Sequence, residues 1–294
     1  MWRITNTIIA LVVLLSISGC ATNPETGKKQ FIVLSEPREV ALGEQASPEF
    51  VKGYGGQVPS PELTGYVRQI GMNLARKSKR PGLPWEFNVV DSAVINAFAL
   101  PGGKVFISRG LLAKLDNEAQ LAGVLGHEIG HVTAKHINDQ MARQTAFNSL
   151  LTGLGAATRG TNDQWLRILG TGTRVGGTVF LLHYNREQEH EADVLGVRYM
   201  AEAGYNPMGQ VEVMRILMAE GGGASRARPQ LLATHPLPKE RISRLKEHLA
   251  QQYADHQTND SYRFSRESFQ INVKQPLAEL PPPKHREKSV EGGA

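Results

Sequence analysis

Apolar residues return at helical intervals in the stretch 117–137, where Leu121, Leu125, Ile129 and Val132 fall along one flank of a 100°-per-residue projection. Asn117, with Gln120 three residues on, has the form of a capping box at the start of that helix. Gly123, Gly126 and Gly130 gather on the other flank. A glycine weakens a helix by about 1 kcal/mol relative to alanine, so this flank is expected to lie against a neighbouring backbone. Upstream, helical signals begin at Ser35. A clearer helix follows Ser60, with Pro61 in its first turn, Glu62 near its positive end and Leu63, Val67, Ile70 and Leu74 along one face. Residues 85–91 and 104–108 read as strands, joined through residues 96–103. Further on, Leu195, Tyr199 and Met200 mark another helix, which Gly204 and Pro207 stop.

The ends read differently from the middle. Arg3 precedes an apolar core at 8–17 and the small-residue site Ile17-Ser18-Gly19-Cys20, the pattern of a cleaved leader. The run is short for a membrane span, which needs about 20 apolar residues. The cysteine stands where a bacterial lipobox has it. Residues 1–19 are therefore expected to be a lipoprotein signal peptide, and Cys20 the lipid-bearing residue. By the same resemblance Ala21, in place of an aspartate, implies the periplasmic face of the outer membrane. Residues 20–34 read as a lipid-anchored tether, 35–250 as the body and 251–294 as an extended C-terminal tail, with a strand or two within 261–273.

Loss of the leader removes Arg3 and takes the formal charge from +5 to +4, with no dense basic block, so no nucleic-acid partner is expected. Cys20 is the only cysteine, so the mature chain forms no internal disulfide and depends on its core and on any metal. Residues 141–182 are rich in Gly and Thr, and Arg159, Asp163, Arg167 and Arg174 break any run long enough to span a membrane. They read as loops and helices over a cleft.

The chemistry concentrates on His127, Glu128 and His131, which stand in the order HExxH. One helical turn separates the histidines, so their imidazoles share a face and can grip one zinc ion. Glu128 beside them can hold and deprotonate a water at that metal. A catalytic zinc takes a third protein ligand. The extended motif HExxHxxGxxH is excluded, because Ala134 and Ile137 occupy its last two defined positions. His136 is one residue out of register and is expected to point elsewhere, as a surface or capping histidine. Downstream, Glu187, Glu189 and Glu191 open the helix that begins at Arg186, and spacing alone does not choose among them. Strands followed by the HExxH helix suit a site where an extended chain pairs with a sheet edge, although the same strands would also serve as a plain core hairpin.

These motifs together resemble the HtpX- and BepA-like zinc metallopeptidases, which include the CAAX prenyl endopeptidase, over residues 35–250. The resemblance joins HExxH to an ExxxD at Glu189 to Asp193, an NAFAxPGG-like run from Asn96, and an HPxxxxR-like segment from His235 to Arg241. It implies an α+β fold, a mainly helical zincin-type domain with a small sheet whose edge strand faces the cleft. It also implies one zinc ion held by His127, His131 and Glu189, with Asp193 orienting a ligand histidine. Glu128 is then the general base, His235 and Arg241 are oxyanion donors, and Asn96 holds the substrate backbone. His183 and Tyr184 are weaker candidates. Asn185 departs from the serine common at that position, and the chain resembles compact lipoprotein members rather than repeat-bearing or membrane-embedded ones. The implied activity is endopeptidase cleavage of misfolded or unfolded cell-envelope proteins. An outer-membrane assembly or chaperone role around a mainly structural zinc is the alternative. The implied partners are polypeptide substrates, the membrane through Cys20 and outer-membrane assembly machinery. As a good zinc ligand, His235 is also suited to take the open fourth position in a resting state.

Overall fold

A small sheet and the helix that follows it set the frame. The computed structural model describes residues 20–151, 184–221, 229–235, 239–256 and 258–285. Its first elements are a hairpin of β1 (Cys20–Thr22) and β2 (Lys29–Phe31), then α1 (Glu36–Gly53) and α2 (Pro61–Ala75). Strands β3 (Glu86–Val90), β4 (Ala97–Leu100) and β5 (Lys104–Ser108) follow, then the single turn α3 (Arg109–Leu112), α4 (Glu118–Thr133) and α5 (His136–Leu151). Next come α6 (Arg186–Glu202), α7 (Met208–Gly221), the short α8 (Leu231–Thr234) and α9 (Lys239–Gln252). The described chain ends through α10 (Arg266–Phe269), a π-helical turn at Gln270–Lys274 and α11 (Gln275–Glu279).

Within the sheet the order is β3-β5-β4, with β3 parallel and β4 antiparallel to β5. The pair 85–91 and 104–108 is thus no hairpin. The run between them supplies a strand of its own, and the tight β4–β5 turn passes through Gly102 and Gly103 at φ +75° and +90°, which favour glycine. Alternation sorts the two faces. Phe87, Val89, Ala97, Ala99, Val105 and Ile107 join the main core with α2 and α4, whereas Val90, Leu100 and Phe106 pack with Leu42, Ala46 and Phe50 of α1.

Local signals formed the helices as read. Ser60 Oγ accepts the Leu63 N–H at 3.2 Å, and Asn117 Oδ1 accepts the Gln120 N–H at 2.9 Å. The Gln120 side chain accepts from Asp116 N at 2.7 Å, one residue earlier than a full capping box requires. At α6 the box is complete. Asn185 Oδ1 accepts from Glu187 N and Gln188 N, and Gln188 Oε1 accepts from Asn185 N, so Asn in place of Ser leaves this cap intact. Every residue of α4 is buried, polar ones included, so its polar side faces other protein groups rather than solvent.

Two expectations change. Residues 20–34 do not run free as a tether: Asn23 Nδ2 donates to Ala134 O at 2.6 Å, Glu25 pairs with Arg198 at 2.5 Å, and Val33 N and Leu34 N donate to Asn138 Oδ1. The polar composition suggested a linker, but these partners are remote in the chain and leave no mark on local sequence. The stretch 261–273 holds helix rather than strands, and Phe269 and Val273 join the main core. Beyond α11 the described chain passes through a series of bends, and His285 bridges back to Ser92, with Ala93 N donating to His285 O at 2.9 Å. The leader at 1–19, most of 141–182 and His183 lie outside the described residues. Among the described residues no helix is long and apolar enough to cross a membrane.

Candidate active site

The glycine flank of α4 decides what faces the HExxH residues. A Cβ on Gly126 would stand 3.1 Å from Gly196 O, one on Gly130 2.9 Å from Ala192 O, and one on Gly123 2.8 Å from Gln210 Cα. Helix α6, and at one end α7, therefore approaches α4 backbone to backbone, as the three costly glycines suggested. With Ala192 and Gly196 at the contact, Glu189 and Asp193 one turn away are carried over His127 and His131.

There one donor atom from each of His127, His131, Glu189 and His235 lies within 4.8 Å of the other three, and all four residues are buried. His127 Nε2 is 3.0 Å from His131 Nε2 and 3.2 Å from His235 Nδ1, and His235 Nδ1 is 2.8 Å from Glu189 Oε1. His127 Nδ1 lies 2.9 Å from Asp193 Oδ1. Arg241, entering from α9, contacts Asp193 through Nε at 2.7 Å and Nη2 at 2.8 Å, and donates to Glu189 Oε2 through Nη1. Gln210 Nε2 adds a bond to Asp193 Oδ1 at 2.9 Å.

Burial dominates the electrostatics, and charge decides the exceptions. Desolvation alone would raise the Glu189 carboxyl. The charges of His235 and Arg241 outweigh it and hold the group well below the usual carboxylate range. Asp193 is likewise held down, against burial, by Arg241 and His127. Glu128 moves the other way. Burial raises it, and the nearby histidines only partly offset this. His131 is pushed well below the ordinary imidazole value by burial, which keeps it a neutral donor. The set fits a metal site: an ionised carboxylate and imidazoles whose Nε2 or Nδ1 atoms converge. Glu128 Oε2, fully enclosed at the edge of the group, has no hydrogen-bond partner.

The remaining candidates divide between the site and its surroundings. Asn96 sits apart from the donors, its Nδ2 donating to Tyr54 Oη at 3.0 Å and to Gln230 Oε1 at 3.3 Å, while its Oδ1 is buried without a partner. Tyr184 stacks on His131 with ring centroids 3.7 Å apart. His136 is a correction. It is buried, and its Nδ1 lies 2.9 Å from His131 Nδ1. Helical projection misplaced it because α4 stops at Thr133 and Lys135 takes φ +56° before α5 begins at His136. Glu191, one of the three competing glutamates, falls on His136 instead of among the donors, and Gln210 escaped notice, since nothing in its local sequence separates it from an ordinary surface polar residue.

A two-histidine helix crossed by a carboxylate-bearing helix, with a further buried glutamate beside the donors, defines a metallopeptidase. Residues 61–249 match Peptidase family M48, and the chain belongs to that family. Over 230 residues, 76% of this chain and 46% of the relative, it is 31% identical to the beta-barrel assembly-enhancing protease of Escherichia coli O157:H7. It is also 31% identical to the mitochondrial metalloendopeptidase OMA1 of Schizosaccharomyces pombe over 241 residues, 81% of this chain and 69% of that one. A 30% identity over 234 residues links it to a putative beta-barrel assembly-enhancing protease of Vibrio cholerae, 78% of this chain and 48% of the relative. The chain thus spans about half the length of these bacterial relatives.

Proposed function

We propose that this chain is a zinc-dependent endopeptidase of the bacterial cell envelope that cleaves misfolded or unfolded envelope proteins. His127, His131 and Glu189 would hold one zinc ion, with Cys20 carrying a lipid at the periplasmic face of the outer membrane. When bound, the zinc supplies Lewis-acid polarisation of the scissile carbonyl and acidifies water. The remaining work belongs to the chain. Glu128 accepts the proton of the attacking water and returns it to the leaving amine, and burial, which raises its carboxyl, favours the return step. Asp193 stands beside His127 Nδ1 at 2.9 Å, and Arg241 locks Glu189 and Asp193 together. That engagement makes Arg241 a holder of carboxylates more than an oxyanion donor. His235 is left as the donor, and it also occupies the fourth position among the metal-binding atoms in the resting state. Asn96, with its unpartnered Oδ1, awaits a backbone N–H of a substrate laid along the β4 edge.

The observation that carries this reading is Glu128 Oε2, an enclosed carboxylate oxygen with no partner beside four converging donors. A structural metal site has no use for it, and such a group is costly to bury unless function requires it. The test is zinc quantification with a casein-type cleavage assay on the mature soluble form, comparing wild type, Glu128→Gln and Glu189→Ala. Cleavage lost with zinc retained in the first, and both lost in the second, is the expected result.

The name of the bacterial relatives, beta-barrel assembly-enhancing protease, supports a second reading in which the chain also assists outer-membrane assembly without cutting. Full complementation of a deletion strain by Glu128→Gln would favour it.

A further inference from the structure

Behind His131 lies a line of polar contacts that the proposed reaction does not use. His131 Nδ1 is 2.9 Å from His136 Nδ1, His136 Nε2 is 2.9 Å from Glu191 Oε2, and Glu191 Oε1 pairs with Lys28 Nζ at 3.1 Å. The side chain of His136 is 2% exposed and that of Glu191 15%, so little water competes for these atoms. Tyr184 covers one face of the His131 ring and leaves its edge to hydrogen bonding.

Proton positions along this line follow from its outer end. A carboxylate only accepts and Lys28 only donates, so the contact with Glu191 requires a proton on His136 Nε2. When His136 is neutral its single N–H is the one on Nε2, and Nδ1 is then bare and accepts. The proton in the 2.9 Å contact then belongs to His131 Nδ1. His131 Nε2, the atom that faces His127 and Glu189, is left bare. A carboxylate two side chains away thus selects the tautomer of a donor histidine.

We propose that His136 is a positioning residue that holds His131 in the tautomer and ring orientation presenting a bare Nε2 to the metal, itself held by Glu191 and by Lys28 of the N-terminal hairpin. The idea rests on the zinc site proposed above and adds a member outside the HExxH and ExxxD motifs. Metal-bound histidines usually hand their second N–H to a carboxylate, carbonyl or water. Here a second histidine receives it.

Two substitutions separate positioning from packing. His136→Asn puts a carbonyl oxygen near the place of Nδ1 and can still accept, whereas His136→Phe keeps the ring volume and cannot. Zinc affinity is read by chelator competition, and the His131 tautomer by ring ¹⁵N shifts in the metal-free protein. The Phe variant should bind zinc about 10–100-fold more weakly and show mixed tautomers, with Asn recovering most of both losses. Wild-type affinity and tautomer in the Phe variant, or equal losses in the two variants, would overturn the proposal. If His136→Phe does not fold, Glu191→Leu leaves His136 in place and should still mix the tautomers; an unchanged tautomer there would also overturn it. A wild type that binds no zinc would defeat the earlier reading alone, because the tautomer measurement needs no metal.

Discussion

Gly196 of α6 lies against His127 of α4 so closely that a Cβ on the glycine would stand 2.9 Å from the His127 backbone nitrogen. The helix crossing and the donor geometry are therefore one feature. Gly196→Val should destabilise the metal-free protein by about 1–3 kcal/mol through overpacking. It should also weaken zinc binding, since Glu189 and Asp193 ride on the displaced helix. Urea unfolding and zinc titration check both effects, and unaltered zinc affinity in a folded variant would show that the crossing does not set the donor spacing.

Glu128 tests the chemistry apart from the metal. Glu128→Gln should leave zinc content and thermal unfolding unchanged and lower cleavage by about 10²–10⁴-fold, the range expected of a general base. A variant that keeps more than a tenth of wild-type turnover would remove Glu128 from that role.

Arg241 contacts both carboxylates and, with His235 and His127, helps them stay ionised in a buried site. Arg241→Gln should cost about 3–5 kcal/mol, as when one partner of a buried pair is removed. The pH dependence has a definite sign. Glu189 and Asp193 are held below their ordinary values, so in zinc-stripped protein their stabilisation is complete at neutral pH and fades only as pH falls below the usual carboxylate range. Without the guanidinium the acid unfolding midpoint should move to higher pH. Circular dichroism across an acid titration in chelator measures it.

His235 holds the fourth donor place, 2.8 Å from Glu189 and 3.2 Å from His127. If it shields the resting site, His235→Ala should raise basal cleavage of a short peptide at unchanged zinc content. No rise would end that idea, and a clear fall would assign His235 to oxyanion stabilisation.

Much of the site was legible because its signals are local. Two histidines one turn apart share a helix face whatever the fold, the caps at Ser60 and Asn117 need only their own next turn, and three glycines on one flank announce a close backbone. The docked hairpin and the buried Phe269 and Val273 were not legible, because their partners are remote and their own stretches look polar or short.

What the sequence by itself determined was the HExxH face, the glycine flank that α6 would use and the acidic segment that would supply a carboxylate. Tertiary structure decided which carboxylate. Successive odd positions of a helix swing 200° apart, so Glu187, Glu189 and Glu191 cannot all face α4. Backbone contact at Ala192 and Gly196 turns Glu189 inward to the donors, leaves Glu187 exposed and sends Glu191 to His136 and Lys28. It likewise recovered His136, because the left-handed Lys135 breaks the helical register on which its exclusion depended. Periodicity can be read along a chain, but the rotation of one helix against another, and the residue at which a helix stops, are set by packing between distant segments.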